Sequence, residues 1–403
     1  MLKRNLLAWA ASAAITATAG VAQAQVSDGL IKIGVLTDMS SLYTDLSGKG
    51  SELAARMAVE DFGAARKGLK VEIVSADHQN KPDVGSSIVR QWYDVDKVDV
   101  IVDVPNSGVA LAVNQITRDK GKAFLVSGAA SADLTGKACS PNTIHWAYDT
   151  WMLANGTGNA IVKTGGDSWF FLTADYAFGH ALERDTEAVV LKNGGKVLGK
   201  VRHPLNNQDF SSFLLQAQAS KAKIIGMANA GGDTTNTIKQ AAEFGIVKAG
   251  QSLAGLLVFI TDVHALGLPI AQGLIFTETF YWDANDATRA FAKRFVEANR
   301  GIHPTMIHAG VYSSVIHYLK AVEAGKTDDG TKTIAKMKEM PTDDPLFGKG
   351  SIRKDGRKLH PAYLVEVKKP SESKGPWDYH KIRATIPADQ AFRPLADGGC
   401  PLV

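Results

Sequence analysis

The sequence predicts an α/β protein built from two doubly wound lobes. Three observations lead there. Strand-like and helix-like stretches alternate from residue 31 onward, and the alternation restarts near residue 150. Stretches such as Val98–Val104 are predominantly apolar, which suits parallel strands covered on both faces. With 403 residues, 45% hydrophobic and 21% charged, the chain can fill the cores of two such lobes.

In the first block "IKIGVLTD" (31–38) reads as a buried strand. "SELAARMAVEDFGAA" (51–65) follows as a helix through Leu53, Met57, Ala58 and Phe62. "LKVEIVSAD" is a strand, "DVGSSIVRQWYDVDK" a helix, "VDVIVDVP" a strand, "SGVALAVNQITRDKG" a helix and "KAFLVSG" a strand. The second block runs from helix 150–164 to strand 167–175 and helix 179–193, then to "GKVLGKVRH" as a strand. Helix "DFSSFLLQAQASKA", strand "KIIGMANAG" and helix "TTNTIKQAAEFGI" continue it, with strands near 253–261 and 273–280. Helices at 287–300, 305–324 and 331–340 and a β-rich tail at 350–367 are shared between the lobes. An internal echo fits this picture. Asn106-x-Gly108 and Asn229-x-Gly231 fall at the same point of a strand-to-helix turn, although Asn and Gly are ordinary turn residues.

The first residues read as a targeting segment. "MLKRN" is basic, the following run is apolar, and Ala22-Gln23-Ala24 is a small-x-small cleavage site, so residues 1–24 read as a secretory signal peptide. No cysteine follows the cleavage site to carry a lipid, and no later segment is long and apolar enough to span a bilayer. The net charge of +4 falls by two without Lys3 and Arg4, too little to indicate nucleic acid or a membrane surface as a partner. In an oxidising compartment Cys139 and Cys400 either pair, tying the C-terminal tail to the body, or remain two separate buried thiols.

The strand "LVSGAASADLT" (125–135) ends in residues that offer little beyond backbone N–H groups and hydroxyls. In open α/β sheets ligands sit beyond the carboxyl ends of strands, where a helix start presents unpaired N–H groups. Asn106, Ser107 and Gly108 form one such end, and Ser127 to Ser131 the next. Either these residues cap helices and form turns, or the two ends together hold a small anion, most simply a carboxylate. The ten histidines show no metal-ligand spacing. Gly156-Thr-Gly158 lacks the third glycine of a dinucleotide fingerprint, Ile161 standing there, and no nucleophile elbow or phosphate loop appears. Neither an enzyme, a cofactor nor a metal is expected. The Lys-rich "VKKPSESKGP" reads as a solvated segment.

The opening "IGVLTDMSSLYTDLSGKGSELAARMAVED", the "SGAASADLT" strand end and "FFLTADYAFG" resemble the branched-chain amino-acid type periplasmic binding proteins (the leucine/isoleucine/valine-binding type), the solute receptors of ABC transporters. The similarity spans roughly Val26 to Pro370. It implies a periplasmic-binding-protein-like type I fold, two Rossmann-like lobes joined by three hinge crossovers. The expected division is 25–148 plus 280–355 for one lobe and 149–279 plus 356–403 for the other. It further implies a monomer in the periplasm, without catalysis, that delivers a small-molecule carboxylate to an inner-membrane permease and its ATPase. An exported sensor for amides, urea or acids is the alternative.

Carried over, the family's carboxylate clamp falls on Asn106 or Ser107 and on Ala129 and Ser131. The family's aromatic in "D-x-x-Y-G" falls on Phe178, beside Tyr176. The acid for an amino-acid ammonium falls near Thr261 and Asp262, unless Asp262 is an exposed turn aspartate. Two departures stand out. Ala230 and Gly231 occupy positions that are aromatic in well-known members, and Trp146 and Tyr148 stand where many carry Arg. These imply extra room and a ligand bulkier than leucine, such as an aromatic acid. Tyr43 packs either on a ligand or on its own lobe, and Tyr281 either walls the cleft or packs at the hinge.

Overall fold

The computed structural model describes residues 26–403, and the expected signal segment, 1–24, lies outside the described residues. The first sheet contains β1 (Ile31–Thr37), β2 (Val71–Asp77), β3 (Val100–Asp103), β4 (Ala123–Val126) and β5 (Thr143–His145). Its order is β2-β1-β3-β4-β5, and every neighbouring pair is parallel. The second contains β6 (Ser168–Ala174), β7 (Lys196–His203), β8 (Ile224–Ala228) and β9 (Ser252–Gly255), in the all-parallel order β7-β6-β8-β9. The order of β2-β1-β3-β4 is therefore repeated strand for strand. β3 and β8 are equivalent, so the echo at Asn106 and Asn229 marks equivalent strand ends.

β10 (Ile275–Glu278) ends the second block. Short strands β11 (Thr342–Asp344), β12 (Gly348–Ile352) and β13 (Lys358–Leu359) form a small antiparallel sheet. β14 (Ala362–Val367) and β15 (His380–Ile386) complete a second antiparallel sheet with β10. The face of this last sheet bearing Phe276, Val365 and Val367 packs with Met227, Val258 and Val263, which assigns it to the second lobe. The helix Met306–Gly325 is apolar almost all round and correspondingly buried, packing on Gly48–Phe62 in the first lobe.

The chain passes between the lobes after β5, after β10 and between β13 and β14. At the first and third passages a charge is buried. Arg357, fully inaccessible, donates to Trp146 O at 2.5 Å and Tyr148 O at 3.1 Å and lies 3.4 Å from Asp149. Its ring neighbour is Phe392, 4.4 Å from the guanidinium carbon. An arginine therefore does meet the backbone of Trp146 and Tyr148, from residue 357. A buried charge tolerates this place because three backbone carbonyls, including that of Lys358, and one carboxylate satisfy it.

Cys139 and Cys400 are disulfide-bonded across 261 residues, with Cα atoms 5.6 Å apart. Arg393 reinforces the attachment by donating to Ala132 O at 3.0 Å. The segment that leaves β15 in the second lobe is therefore fastened back onto the first.

Two expectations from the sequence change. The strand near 253–261 stops at Gly255, and Ile260–Leu266 is a helix whose start is set by Asp262 accepting from Phe259 N. The apolar run "LLVF" has no period that separates strand from helix. The expected helix 150–164 contains a wider turn at Ala154–Gly158, where Gly156 lies against Thr277 of β10 so closely that a Cβ would sit 2.3 Å from its hydroxyl. Those glycines serve packing, not a phosphate. Two strands are not anticipated: β15, in which Ile382, Ala384 and Ile386 alternate with Lys381, Arg383 and Thr385 but only His380 is buried, and β5, only three residues long.

Candidate functional site

A small cavity, with room for about one water, lies where the carboxyl ends of the two parallel sheets face each other. The first lobe contributes Tyr43, Leu46, Pro105, Gly128, Ala130 and Tyr148. The second contributes Tyr176, Phe178, Ala230, Leu257 and Phe259.

The first-lobe wall is built from backbone. Beyond β4 the segment Gly128–Ala130 is pinned by its carbonyls. Tyr148 Oη donates to Gly128 O at 2.6 Å, His145 Nε2 to Ala129 O at 2.7 Å, and Thr150 N to Ala130 O at 2.8 Å. In a trans peptide the N–H points opposite to the C=O. The amides of Ala129 and Ala130 are thereby turned away from the crossover, and among the described residues neither has an acceptor. Both residues are almost fully buried. Two adjacent buried N–H groups without partners are rare in folded proteins and mark a place where something else accepts.

The hydroxyls expected to act as clamps are occupied. Asn106 caps the helix Ser107–Lys120, its Oδ1 accepting from Gly108 N at 2.9 Å and Val109 N at 3.1 Å. Ser107 Oγ accepts from Ser131 N at 3.2 Å, and Ser131 Oγ from Asp133 N at 3.4 Å. Ser127 Oγ is buried without a partner, beside Gly310 of the long helix rather than in the cavity. These residues frame the cavity from behind, while Pro105, Gly128 and Ala130 between them form its surface. The sequence located the strand ends but shifted the lining by one residue.

Beneath Gly128 sits Asp103. Its φ of +78° and that of Val104, +58°, place two consecutive non-glycine residues in the left-handed region. The twist turns the carboxyl toward Ser47, whose hydroxyl donates at 2.6 Å, and leaves Oδ1 buried without a partner. Burial pushes this carboxyl up to about 6.

The second-lobe wall is built from rings. Gly179 permits the tight turn from β6 into the helix Ala177–Lys192, since a Cβ there would meet Ala174 O at 2.0 Å. The turn places Tyr176 and Phe178 over the cavity, their rings 5.9 Å apart at 49°. Tyr43 comes across from the first lobe on a loop held by Asp38, which accepts from Tyr43 N at 2.7 Å, and its Oη lies 2.5 Å from Tyr176 Oη. Tyr148 and Phe259 face each other across the lobes at 6.1 Å and 77°.

The extra room expected at Ala230–Gly231 is absent. The loop at Leu42–Tyr43 fills it, with a Cβ on Gly231 falling 2.8 Å from Leu42 O, and Gly231 has φ of +58°. Asp262 and Tyr281 stand away from the cavity. Asp262 is buried as the cap that accepts from Phe259 N at 2.9 Å, and burial pushes it up to about 7. Tyr281 stacks on His380 at 4.9 Å inside the second lobe's antiparallel layer, because the second crossover runs behind the cleft. Leu46, Tyr148, Leu257 and Phe259 line the cavity without having been singled out as ligand contacts. The quoted "HWAYDTW" and "LLVF" hold Tyr148, Leu257 and Phe259, but nothing local gives their direction.

Residues 30–375 match the model of a family described as periplasmic binding protein. A periplasmic binding protein from Burkholderia mallei is 53% identical, with a TM-score of 0.91 over 93% of this chain and 99% of that one. A branched-chain amino acid ABC transporter periplasmic ligand-binding protein from Burkholderia xenovorans is 42% identical, with a TM-score of 0.82 over 92% and 99%. A solute-binding protein of an ABC transporter from R. palustris, in complex with benzoate, shares the fold at 22% identity and a TM-score of 0.80, over 93% and 100%. With two parallel-sheet lobes meeting at a small cavity and these likenesses along nearly its whole described length, the chain belongs to the periplasmic binding proteins, the solute-binding components of ABC transporters.

Proposed function

We propose that this protein captures a small carboxylate, either a branched-chain amino acid or an aromatic or hydrophobic acid, between its lobes. It then presents the closed form to an inner-membrane permease and its ATPase, without turnover of the ligand. One observation carries the carboxylate: the unpartnered amides of Ala130, at the cavity wall, and of Ala129 next to it in the chain. The relatives from B. xenovorans and R. palustris, with branched-chain amino acids and benzoate in their descriptions, agree with that class. Two moving bodies, the expected 25–148 plus 280–355 and 149–279 plus 356–403 but with β13 and the disulfide-tied tail carried on the first, would close by hinge motion at the crossovers. Calorimetry on the full mature chain tests the reading with pairs of small acids and their methyl esters. Binding should require the free carboxylate, and an ester bound as tightly as its acid would sink it.

A further inference from the structure

The tail beyond residue 375, outside the span of the family match, joins the lobes a further time. β15 leaves the second lobe at Ile386, and the short helix Ala388–Ala391 follows. Asn155 of the second lobe donates to Gln390 O at 2.9 Å. Phe392 is buried beside Arg357 and His360, its ring 4.4 Å from the guanidinium carbon and 5.2 Å from the imidazole. One residue further on, the first lobe takes hold. Arg393 donates to Ala132 O at 3.0 Å, and its own carbonyl accepts from Arg353 Nη1 at 2.6 Å. Cys400 completes the attachment through Cys139. The tail is thus a fourth passage between the lobes, beside the three described above. It grips the first lobe close to the cleft, because Ala132 opens the turn Ala132–Thr135 two residues after Ala130 of the cavity wall.

This passage has little length to give. Gln390, held by the second lobe, and Arg393, held by the first, are three residues apart, at most about 10–11 Å of fully extended chain. The grip on the first lobe depends on the disulfide. Between Arg393 and Cys400 no residue is buried, so that stretch has no core of its own to hold it down. A groove lined by Val189, Lys192, Arg393, Pro394 and Asp397 separates it from the second lobe's helix Ala177–Lys192. Without the covalent bond the hydrogen bonds of Arg393 would have to keep the tail in place, and bonds so near water contribute little net. With it, they re-form within one molecule at high effective concentration.

We infer that the C-terminal tail is a strap that limits how far the lobes separate, with the bond between Cys139 and Cys400 as its lock. Opening draws Asn155 away from Ala132 until residues 390–393 are taut, and the motion stops there. A narrower range of open forms leaves less conformational freedom to lose when the lobes close. The inference rests on the hinge motion proposed above and on no particular ligand.

Small-angle scattering of the oxidised, ligand-free mature chain provides the test. Two variants act on the strap in different ways. Cys139→Ser combined with Cys400→Ser unlocks it. An insertion of about six Gly and Ser residues between Ile386 and Pro387 lengthens it and keeps the disulfide, which thiol labelling confirms. Both variants, checked for an intact thermal transition, should show a larger radius of gyration and a longer maximum dimension than the parent. A lengthened strap that scatters like the parent overturns the inference, whatever the serine pair does. A serine pair that matches the parent while the lengthened strap opens overturns the part given to the disulfide. Should the serine pair fail to fold, the lengthened strap decides alone. Esters that bind as tightly as their acids would remove the carboxylate reading and leave this inference standing.

Discussion

The two lobes share one strand order but line the cleft with opposite materials. Where the first lobe's third strand gives way to a helix, the neighbouring strand end offers backbone: small residues, carbonyls fixed from behind, and amides left over. Where the second lobe's first strand ends, a glycine-dependent turn offers rings. A duplicated architecture can thus present a polar half-site and an apolar half-site to the same ligand. The difference lies in which residues follow each strand, not in the strands. The first half-site depends on geometry that side chains only support, and the second depends on the side chains themselves.

Substitutions should therefore act differently on the two sides. The largest effect belongs to the rings. Phe178→Ala should cost about 3–5 kcal/mol of unfolding free energy, because the residue is buried at the seam and its loss leaves a cavity. A urea titration giving a loss under about 1 kcal/mol would show that the wall is not packed as described. Next comes Ala130→Leu, which puts bulk on the backbone wall. Overpacking there should cost about 1–3 kcal/mol, and ligand binding should weaken at least about ten-fold in calorimetry. Unchanged affinity would move the ligand elsewhere.

A pH experiment separates the buried acids from the rings they support. Asp262 has its folded-state value raised to about 7, against about 3.9 in the unfolded chain. The folded protein then holds the proton more tightly. This contribution to stability is complete below about pH 4 and is lost as pH rises through about 7. Asp262→Asn, which keeps an oxygen for Phe259 N, should become more stable relative to the parent as pH climbs across that window. A constant difference would mean that Asp262 is ionised in the folded state throughout. Ser107→Ala should have a smaller effect, about 1 kcal/mol, by removing the acceptor for Ser131 N. Tyr43→Phe should have the smallest, about 0.5–1 kcal/mol, felt only by the closed form, since the bond it removes crosses between lobes. Small-angle scattering of the ligand-free variant should show a shift toward open molecules.

This contrast also explains what could be read in advance. Alternating blocks announced the two lobes, and the small residues after β4 marked a strand end that lines the cavity, because composition and period are local properties. Tyr43, Tyr176 and Phe178 stood out for the same reason, as rings beside turn residues. What stayed hidden was orientation. The sequence has no means of showing that Tyr148, His145 and Thr150 hold the carbonyls of Gly128, Ala129 and Ala130, or that Asn106 and Ser131 spend their side chains on caps. The filling of Gly231 by a loop from the other lobe is equally a matter of tertiary approach. Arg357 illustrates the same limit: a charge at the crossover can come from 208 residues beyond its partner Asp149.

The bond between Cys139 and Cys400 has a consequence for how the protein is made. A chain that emerges from its amino end exposes Cys139 long before Cys400, which lies 261 positions further on. During that interval the earlier sulfur is an unmatched nucleophile, open to capture by small thiols or by another molecule. Closure of the ring therefore records that both halves have arrived and docked, and pulse-labelling of nascent chains should find it among the last covalent events of maturation.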